Sequence, residues 1–425
     1  MSDHQKNILF WGPQCVYAWL PAFVVSTFEE LNKHGWKTTY FFPPINEFNL
    51  GVPLNWQRDF KTSDYDPDIR VIVDPACSVL HVINDDRASE ALKPVFKGQT
   101  PDIIVTRTHG HGYLKKLFPD VVILTMADAI GAPWYGRGTA CFALTEDEFF
   151  YGNSFLSRHR EQALSLDIPA DIAEEGYRLM NSQEQLDARQ QQEISGVFDT
   201  LRNKYSKIYT MPVCAGMRET DYVNYVYDQQ YMTQCDVIYR FLAHSDENSA
   251  LIVTSHPFTP APDVQVNLMK IFAETDRIII ADDLEVDAKV FTTANIMPHC
   301  DGMMCWMSKA YWHALICEKP LFDYASHDIE FCDPYRDIDE WLAATKPKIS
   351  VEDVLKLFYW SVTRYRIRTT DTLQLNRILT NFLNRPYGEN GLHPAANMYD
   401  WLDSETEYQK HFITCIDQIR AERGL

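Results

Sequence analysis

The sequence contains no uninterrupted run of 18 apolar residues, the length that a membrane-spanning helix needs, although 46% of its 425 residues are hydrophobic. Its 10 cysteines are scattered, and none of them forms a Cys-x-x-Cys pair. Its start, MSDHQKNILFWG, lacks the basic and apolar regions of a signal peptide. We therefore expect a cytoplasmic globular protein with reduced, buried thiols, and the inner face of the membrane is the alternative location.

Basic residues are also scarce, since 39 Lys and Arg stand against 59 Asp and Glu and give a formal net charge of −20. This balance argues against a nucleic-acid partner, because neutralising phosphates takes a surplus of Lys and Arg. It leaves room for one nucleotide, since a few basic groups and backbone N–H donors can hold a small anion. The local cluster of His299, Cys300 and Cys305 fits no common zinc spacing, so we expect no metal site.

Short apolar runs alternate with amphipathic stretches in both halves of the chain, which is typical of parallel sheets covered by helices. A polar helical stretch from about residue 154 to residue 204 lies between the halves, and strongly periodic helical segments follow the second half. The predicted strands are NILFWG, KTTYFF, RVIVDP, DIIVTR and VVILTM in the first half, and KIYTMPV, ALIVTS, RIIIAD, GMMCWM and KPLFDY in the second.

This pattern predicts an α/β protein of the GT-B layout, with two facing Rossmann-like domains and a helical C-terminal region. We expect one Rossmann-like domain over residues 1–204, a second over 205–385, and a helical segment over 386–425 that packs back across the domains. Because the same layout also serves epimerases and other enzymes, the residues at the strand ends must indicate the function.

The strand ALIVTS ends in Ser255, His256 and Pro257. Parallel α/β sheets bind ligands at this end of their strands, and Pro257 holds His256 out of the helical conformation. The imidazole can donate a hydrogen bond to a phosphate. The plainer alternative is a histidine that caps the strand end and bonds a nearby carbonyl group.

A second strand, GMMCWM, is followed by Ser308, Lys309 and a helix. The Ser308 hydroxyl and the N–H groups at the start of that helix could together cradle an anion. An ordinary N-cap serine is the alternative of about equal weight.

In the first half, TRTHGHGY follows a strand, and its Arg107 and two histidines could contact an acidic sugar or a metal; a structural Gly-rich turn is the favoured alternative. The loop FWGPQ is no Gly-x-Gly-x-x-Gly fingerprint, so we expect no dinucleotide.

The segments SHP and WMSKAYWHALICEKP resemble motifs of bacterial capsule and lipopolysaccharide glycosyltransferases that use CMP-activated sugars. The β-Kdo transferases are the most similar of these proteins, and bacterial sialyltransferases are more distant. In them a His-Pro motif and a downstream Ser motif bind the CMP nucleotide. The resemblance therefore implies that Ser255, His256, Pro257, Ser308 and Lys309 bind the donor.

The resemblance extends to acidic motifs, which places Asp128 in an acidic-acidic-Gly motif, Glu146 in a Thr-x-Glu motif, and Gly152, Asn153 and Ser154 in a third. Asp221 matches the acidic position that follows a Pro-Leu-Gln stretch. The sequence departs from the pattern at three places: Ala129 stands where a Gly is common, Cys214 near an expected Gln, and His313 where a helix Glu is common.

The resemblance implies transfer of an acid sugar, with Kdo favoured, from a CMP-sugar to an oligosaccharide or lipid-linked glycan acceptor. Retaining double displacement would use Asp221 as nucleophile and Glu146 as acid/base; single displacement with Asp128 or Glu146 as base stays open. Neither mechanism requires a metal or another cofactor. Peripheral association with a polysaccharide synthesis complex is a further expectation.

Two alternatives remain from the sequence. One is a CDP-polyol phosphotransferase of the teichoic-acid type, which also couples a His-Pro to a downstream Ser motif. The other is a non-catalytic α/β assembly protein, which the departures at Ala129, Cys214 and His313 favour.

Overall fold

The computed structural model describes residues 6–11, 28–42, 70–73, 93, 100–106, 111–128, 141–145, 156–157, 159–180, 186–212, 234–254, 270, 272–287, 290–305, 308, 310–323, 329–368, 371–384, 399 and 401–423. The strands within these residues are β1 (Lys6–Trp11), β2 (Trp36–Phe42), β3 (Arg70–Val73), β4 (Ile103–Thr106), β5 (Val122–Asp128), β6 (Cys141–Thr145), β7 (Lys207–Pro212), β8 (Ser249–Thr254), β9 (Ile278–Ile280), β10 (Gly302–Cys305), β11 (Leu321–Asp323) and β12 (Ile367–Arg368).

The α-helices within the same residues are α1 (His111–Leu117), α2 (Arg160–Leu164), α3 (Ala170–Met180), α4 (Ala188–Arg202), α5 (Gln234–His244), α6 (Thr293–Ile296), α7 (Tyr311–Ile316), α8 (Ile338–Ala343), α9 (Val351–Arg364), α10 (Thr372–Asn384) and α11 (Glu405–Arg423). No helix in the described part of the chain is both long and apolar enough to cross a membrane.

The chain divides into two compact units, of which the first combines Met1–Phe155 with Trp360–Leu425 and the second is Leu156–Tyr359. These breaks differ from the domain boundaries predicted after residues 204 and 385. The polar stretch before residue 204 belongs to the second unit, where α4 packs on β7. The last helices belong to the first unit, because β12 pairs with β6 of its sheet.

Sheet A, in the first unit, has the strand order β12-β6-β5-β4-β1-β2-β3. From β3 to β5 all neighbours are parallel, and this part has the 3-2-1-4-5 order of a Rossmann sheet. The β5–β6 and β6–β12 pairs are antiparallel. Every strand predicted in the first half is present, whereas β6 and β12 were not predicted.

The end of the chain anchors on sheet A through side chains. Trp36, 1% exposed, donates from its indole nitrogen to Asn376 Oδ1 of α10 at 2.8 Å. Arg364, at the end of α9, is 5% exposed, lies over the ring of Tyr408 and pairs with Glu405 Oε1 at 2.9 Å. The first contact joins β2 to α10, and the contacts of Arg364 join α9 to α11.

Sheet B, in the second unit, has the order β11-β10-β7-β8-β9, and all of its pairs are parallel. Counted from β7, this is again the order 3-2-1-4-5. Its strand β8, with the sequence SALIVT, is buried along its whole length, as expected for a strand covered on both faces. The predicted α/β class, with Rossmann-like parallel sheets and helices after the second half, is confirmed.

Because successive side chains along a strand point to opposite faces, each residue of sheet B can be assigned to one face. One face contributes Tyr209, Leu251, Met304 and Phe322 to a core that α5 and α8 cover. Its largest side chain is the fully buried Trp341, whose ring centroid lies 4.6 Å from that of Tyr209. The opposite face therefore carries the alternate residues, and α4, α6 and α7 contact the strands there.

Within its described residues, the predicted polar helical stretch from about residue 154 to residue 204 consists of three helices, α2, α3 and α4. The segment LDIP separates α2 from α3, where Pro169 cannot continue a preceding helix. Helix α4 begins after Asp187, its N-cap residue, which forms a capping box with Gln190.

Candidate functional site

The carboxyl edge of sheet B is the edge at which its parallel strands end. Strand β7 lies at the centre of the sheet, with β8 on one side and β10 on the other. The strand order reverses between β7 and β10, and open α/β sheets bind ligands in the crevice at such a reversal. The sequence continues from these strands into three of the predicted motifs, so the topology identifies this edge as the candidate site.

Of the predicted donor-binding residues, the structure describes Ser308. Ser255, His256, Pro257 and Lys309 lie outside the described residues. So does the predicted nucleophile Asp221, in the segment after β7. Their roles therefore stay predictions.

Ser308 lies between the end of β10 and the start of α7 and is half-buried. Its hydroxyl oxygen accepts a hydrogen bond from the Ala310 N–H at 3.3 Å, and its carbonyl oxygen accepts one from the Cys305 thiol at 3.1 Å. Ser308 is thus bonded to the last residue of β10. This is a serine turn that precedes Ala310, the N-cap residue of α7, so Ser308 does not cap the helix and the N-cap alternative is wrong.

The end of β8 is held by a hydrogen bond between two threonines. Thr254, 2% exposed, is the last residue of β8, and its hydroxyl lies 2.6 Å from that of Thr293 in α6. The backbone therefore leaves β8 from a fixed position immediately before the predicted His-Pro motif.

His313 lies in the first turn of α7 and is half-buried, whereas its helix neighbours Trp312 and Ala314 are buried. Loss of solvation lowers the pKa of His313 to about 4, so the imidazole is neutral at pH 7. A neutral imidazole offers one hydrogen-bond donor and one acceptor, unlike the carboxylate that the resembled motif would carry.

The side chains of His299 and Cys300 contact other residues of the protein. The His299 ring stacks on Phe198 with centroids 4.9 Å apart, and the Cys300 thiol donates to the Ile296 carbonyl at 3.4 Å. Burial raises the pKa of Cys300, which keeps the thiol protonated. Within the described residues no group of three or more His, Cys, Asp or Glu could hold a metal ion.

Asp128 is the last residue of β5, at the carboxyl edge of sheet A, where it pairs with Phe142. Strand β6 runs in the opposite direction, so its last residue, Thr145, pairs with Thr125 in the interior of β5. The predicted acid/base residue Glu146 follows Thr145 and lies outside the described residues. Strand β6 therefore ends beside Thr125 and not beside Asp128.

Strands β1 and β4 end side by side at the point where the order of sheet A reverses, with Trp11 paired to Thr106. The segments after these residues are the FWGPQ loop and TRTHGHGY. Residues 12–14 and 107–110 lie outside the described residues.

A charged pair that the sequence reasoning missed lies at the carboxyl edge of sheet B. Asp323, the last residue of β11, is fully buried, and its Oδ2 lies 2.8 Å from Arg336 Nη1. The signal for it was the Asp near the end of the predicted strand KPLFDY. A charge at the end of a buried strand requires a partner, which the sequence does not identify.

Comparison with known proteins gives one family match. Residues 164–365 match the family model described as capsule polysaccharide biosynthesis protein. This segment covers most of the second unit, Leu156–Tyr359. No curated protein sequence matches the chain.

The similar solved structures are remote in sequence. The β-Kdo 2,7 transferase of Thermosulfurimonas dismutans KpsC is 11% identical over 97% of this chain and 99% of its own, with a TM-score of 0.42. The β-Kdo 2,4 transferase of the same protein is 9% identical over 69% and 84%, with a TM-score of 0.31. The Methanocaldococcus jannaschii UDP-GlcNAc 2-epimerase is 12% identical over 95% and 98%, with a TM-score of 0.30. The family match confirms the resemblance to capsule polysaccharide proteins that the motifs predict.

Proposed function

We propose that the protein is a glycosyltransferase of capsule polysaccharide synthesis that transfers Kdo from CMP-Kdo to an oligosaccharide or lipid-linked glycan acceptor. The observation that carries this proposal is the order of sheet B. Strands β7, β8 and β10 are neighbours, and the sequence runs from their ends into Asp221, His256 and Ser308. The family match over residues 164–365 supports the same assignment.

The donor is held by its phosphate and its nucleoside. His256 and Ser308 donate hydrogen bonds to the phosphate, which strengthen as CMP leaves. Lys309, next to Ser308 in sequence, adds positive charge. The neutral His313 is suited to hydrogen bonding with uncharged hydroxyl groups of the nucleoside.

The reaction proceeds by double displacement. The Asp221 carboxylate attacks the anomeric carbon, the bond from this carbon to the phosphate oxygen breaks, and CMP leaves with the electron pair. Glu146 then takes the proton of the acceptor hydroxyl, whose oxygen displaces Asp221 from the sugar. Two inversions at one carbon retain the anomeric configuration. In a single displacement, Asp128 or Glu146 would instead be the base.

The test is intact-protein mass spectrometry after incubation with CMP-Kdo. The Glu146→Gln variant should accumulate a covalent adduct of one Kdo, and peptide mapping should find it on Asp221. Asp221→Asn should form no adduct. Glu274→Gln, a neutralisation of an exposed carboxylate before β9, is the matched control and should behave as the wild type.

Other outcomes separate the alternatives. An inverted product would refute double displacement and leave the transferase assignment standing. Turnover of a CDP-polyol instead of CMP-Kdo would support the teichoic-acid type of phosphotransferase. Absence of both CMP release and nucleotide binding would support a non-catalytic assembly protein associated with a polysaccharide synthesis complex.

A further inference from the structure

The face of sheet B that α4, α6 and α7 contact becomes polar at its carboxyl edge. Tyr209, Leu251, Met304 and Phe322 point to the opposite face. Side chains alternate between the two faces along a strand. The last residues of β8, β10 and β11, which are Thr254, Cys305 and Asp323, therefore lie on the face that α4, α6 and α7 contact. These three side chains are at most 2% exposed. We call them the polar row.

Asp323 is the charged member of the polar row, and it fixes the position of Arg336. Besides the ion pair of 2.8 Å, Arg336 Nη1 donates to the Asp323 carbonyl oxygen at 3.3 Å. The preceding residue, Tyr335, forms a parallel bridge with Phe322 and exchanges backbone hydrogen bonds with Leu321 and Asp323. The sheet thus holds Arg336 through the backbone of the preceding residue and through the Arg336 side chain.

Arg336 remains accessible although its partner is buried. Its side chain is 40% exposed, whereas that of Asp323 is 0% exposed. A guanidinium group has five N–H donors in a rigid plane, so one edge can pair with a carboxylate while another binds a second anion. The pair therefore presents an oriented cation at the carboxyl edge of a protein whose net charge is −20.

The polar row also connects Arg336 to the loop that carries Ser308. Asp323 is the register partner of Cys305, and the Cys305 thiol donates to the Ser308 carbonyl oxygen. The Tyr335 bridge lies on the side of β11 away from β10, and the Arg336 side chain reaches back to Asp323, which is one strand spacing, about 4.8 Å, from Cys305. An anion bound by Ser308 would lie within the reach of an arginine side chain.

Stability alone does not account for this pair. Replacing a buried ion pair by apolar residues is often neutral or stabilising, because removing charges from water is costly. A carboxylate that is fully buried at a sheet edge and holds an exposed guanidinium suits a positioning role instead.

We propose that Arg336, oriented by Asp323, binds the phosphate of the nucleotide donor. This inference rests on the proposed function and adds to it a residue that the motifs do not include. Arg336 is the group that contacts the ligand, and Asp323 is a positioning residue. Bidentate hydrogen bonding from the guanidinium complements a phosphate better than the point charge of a lysine would.

Calorimetric titration with cytidine and with CMP tests the proposal, because the two probes differ only by the phosphate. Arg336→Gln should weaken CMP binding about 10- to 100-fold, the range for a charge-assisted hydrogen bond, and leave cytidine binding unchanged. Arg336→Lys should lie between the wild type and Arg336→Gln. Lys348→Gln removes a nearby cation, which lies over the Tyr335 ring, and should not change either affinity.

A second variant is needed as a control for misfolding, because Arg336→Gln leaves the Asp323 carboxylate buried without its cation. The double variant Asp323→Asn/Arg336→Gln removes both charges and should fold, yet bind CMP as weakly as Arg336→Gln. Unchanged CMP affinity in either variant, with a wild type that binds CMP, would overturn this inference alone. A wild type that binds no CMP would overturn the proposed function as well. Equal losses for cytidine and CMP would indicate a structural role and also refute phosphate binding.

Discussion

Sheet A and sheet B share the order 3-2-1-4-5 but differ in what completes them. Sheet B is built from strands between residues 207 and 323, so one continuous segment contains all of it. Sheet A takes its last strand, β12, from residues 367–368, after the whole second unit. The same Rossmann order can therefore be self-contained or can depend on the end of the chain. Substitutions can test this difference.

The largest expected effect concerns the core of sheet B. Trp341 is fully buried, donates to the Pro320 carbonyl at 3.2 Å, and packs against Tyr209 and Phe322. Trp341→Ala should destabilise the second unit by about 3–5 kcal/mol, because it leaves a large cavity. Hydrogen exchange should show lost protection in β7, β10 and β11 while sheet A stays protected.

The matched substitution in the first unit is Trp36→Ala, which removes a buried indole and its hydrogen bond to Asn376. It should produce the opposite pattern, with lost protection in sheet A. Equal loss in both sheets from either variant would contradict the view that sheet B is self-contained.

A smaller effect is expected where the end of the chain returns to sheet A. Arg364→Met should cost about 2 kcal/mol, because a desolvated cation over the Tyr408 ring is lost together with the ion pair to Glu405. Glu405 is 53% exposed, so Glu405→Gln, the control, should cost about 0–1 kcal/mol. Urea unfolding measures both. A larger loss from Glu405→Gln than from Arg364→Met would contradict the importance of the cation–ring contact.

The third prediction concerns how pH changes the stability of the same unit. His411 of α11 lies against Tyr399, and burial, with the nearby charges of Arg366 and Arg364, lowers its pKa from 6.5 to about 4. Unfolding therefore takes up a proton between these values, so the stability of the protein falls as the pH decreases from about 6.5 to about 4. Between pH 7 and pH 5 this residue should account for about 1–2 kcal/mol.

His411→Gln should remove that share of the acid sensitivity, as measured by the midpoint of thermal unfolding at both pH values. The exposed His34 provides the control, and His34→Gln should leave the acid sensitivity unchanged. An identical pH dependence in His411→Gln and the wild type would contradict the assignment.

The smallest expected effect is at the start of α4, in the second unit. Asp187 accepts a hydrogen bond from the Gln190 N–H at 2.8 Å, and Gln190 Oε1 accepts one from the Asp187 N–H at 3.0 Å. Asp187→Ala should cost about 1 kcal/mol, whereas Asp187→Ser should restore most of it, because serine also caps helices. Equal urea midpoints for the alanine variant and the wild type would show that α4 needs no cap.

The sequence was sufficient for the parallel strands because each is a short apolar run bounded by turn or polar residues. It was not sufficient for β6 and β12. Their pairing joins Phe142 to Ile367, so it depends on tertiary contacts between segments far apart in the chain, and β12 is too short to show a periodicity.

The candidate site likewise contains features that the local sequence predicts and features that it does not. The position of Ser308 after a buried strand follows from local pattern alone. The partner of Asp323 does not, because Arg336 is 13 residues away and reaches it through a bridge at the sheet edge. The direction of β6, which ends beside Thr125 and not beside Asp128, likewise depends on which strand it pairs with.

The most direct test of the central claim, that a nucleotide donor binds at the carboxyl edge of sheet B, is hydrogen exchange with and without CMP. We predict that CMP slows exchange in peptides covering the ends of β8 and β10 and the start of α7, and leaves the ends of β1 and β4 unchanged. UDP should protect the same peptides less. Protection confined to sheet A, or equal protection by UDP and CMP, would contradict the account.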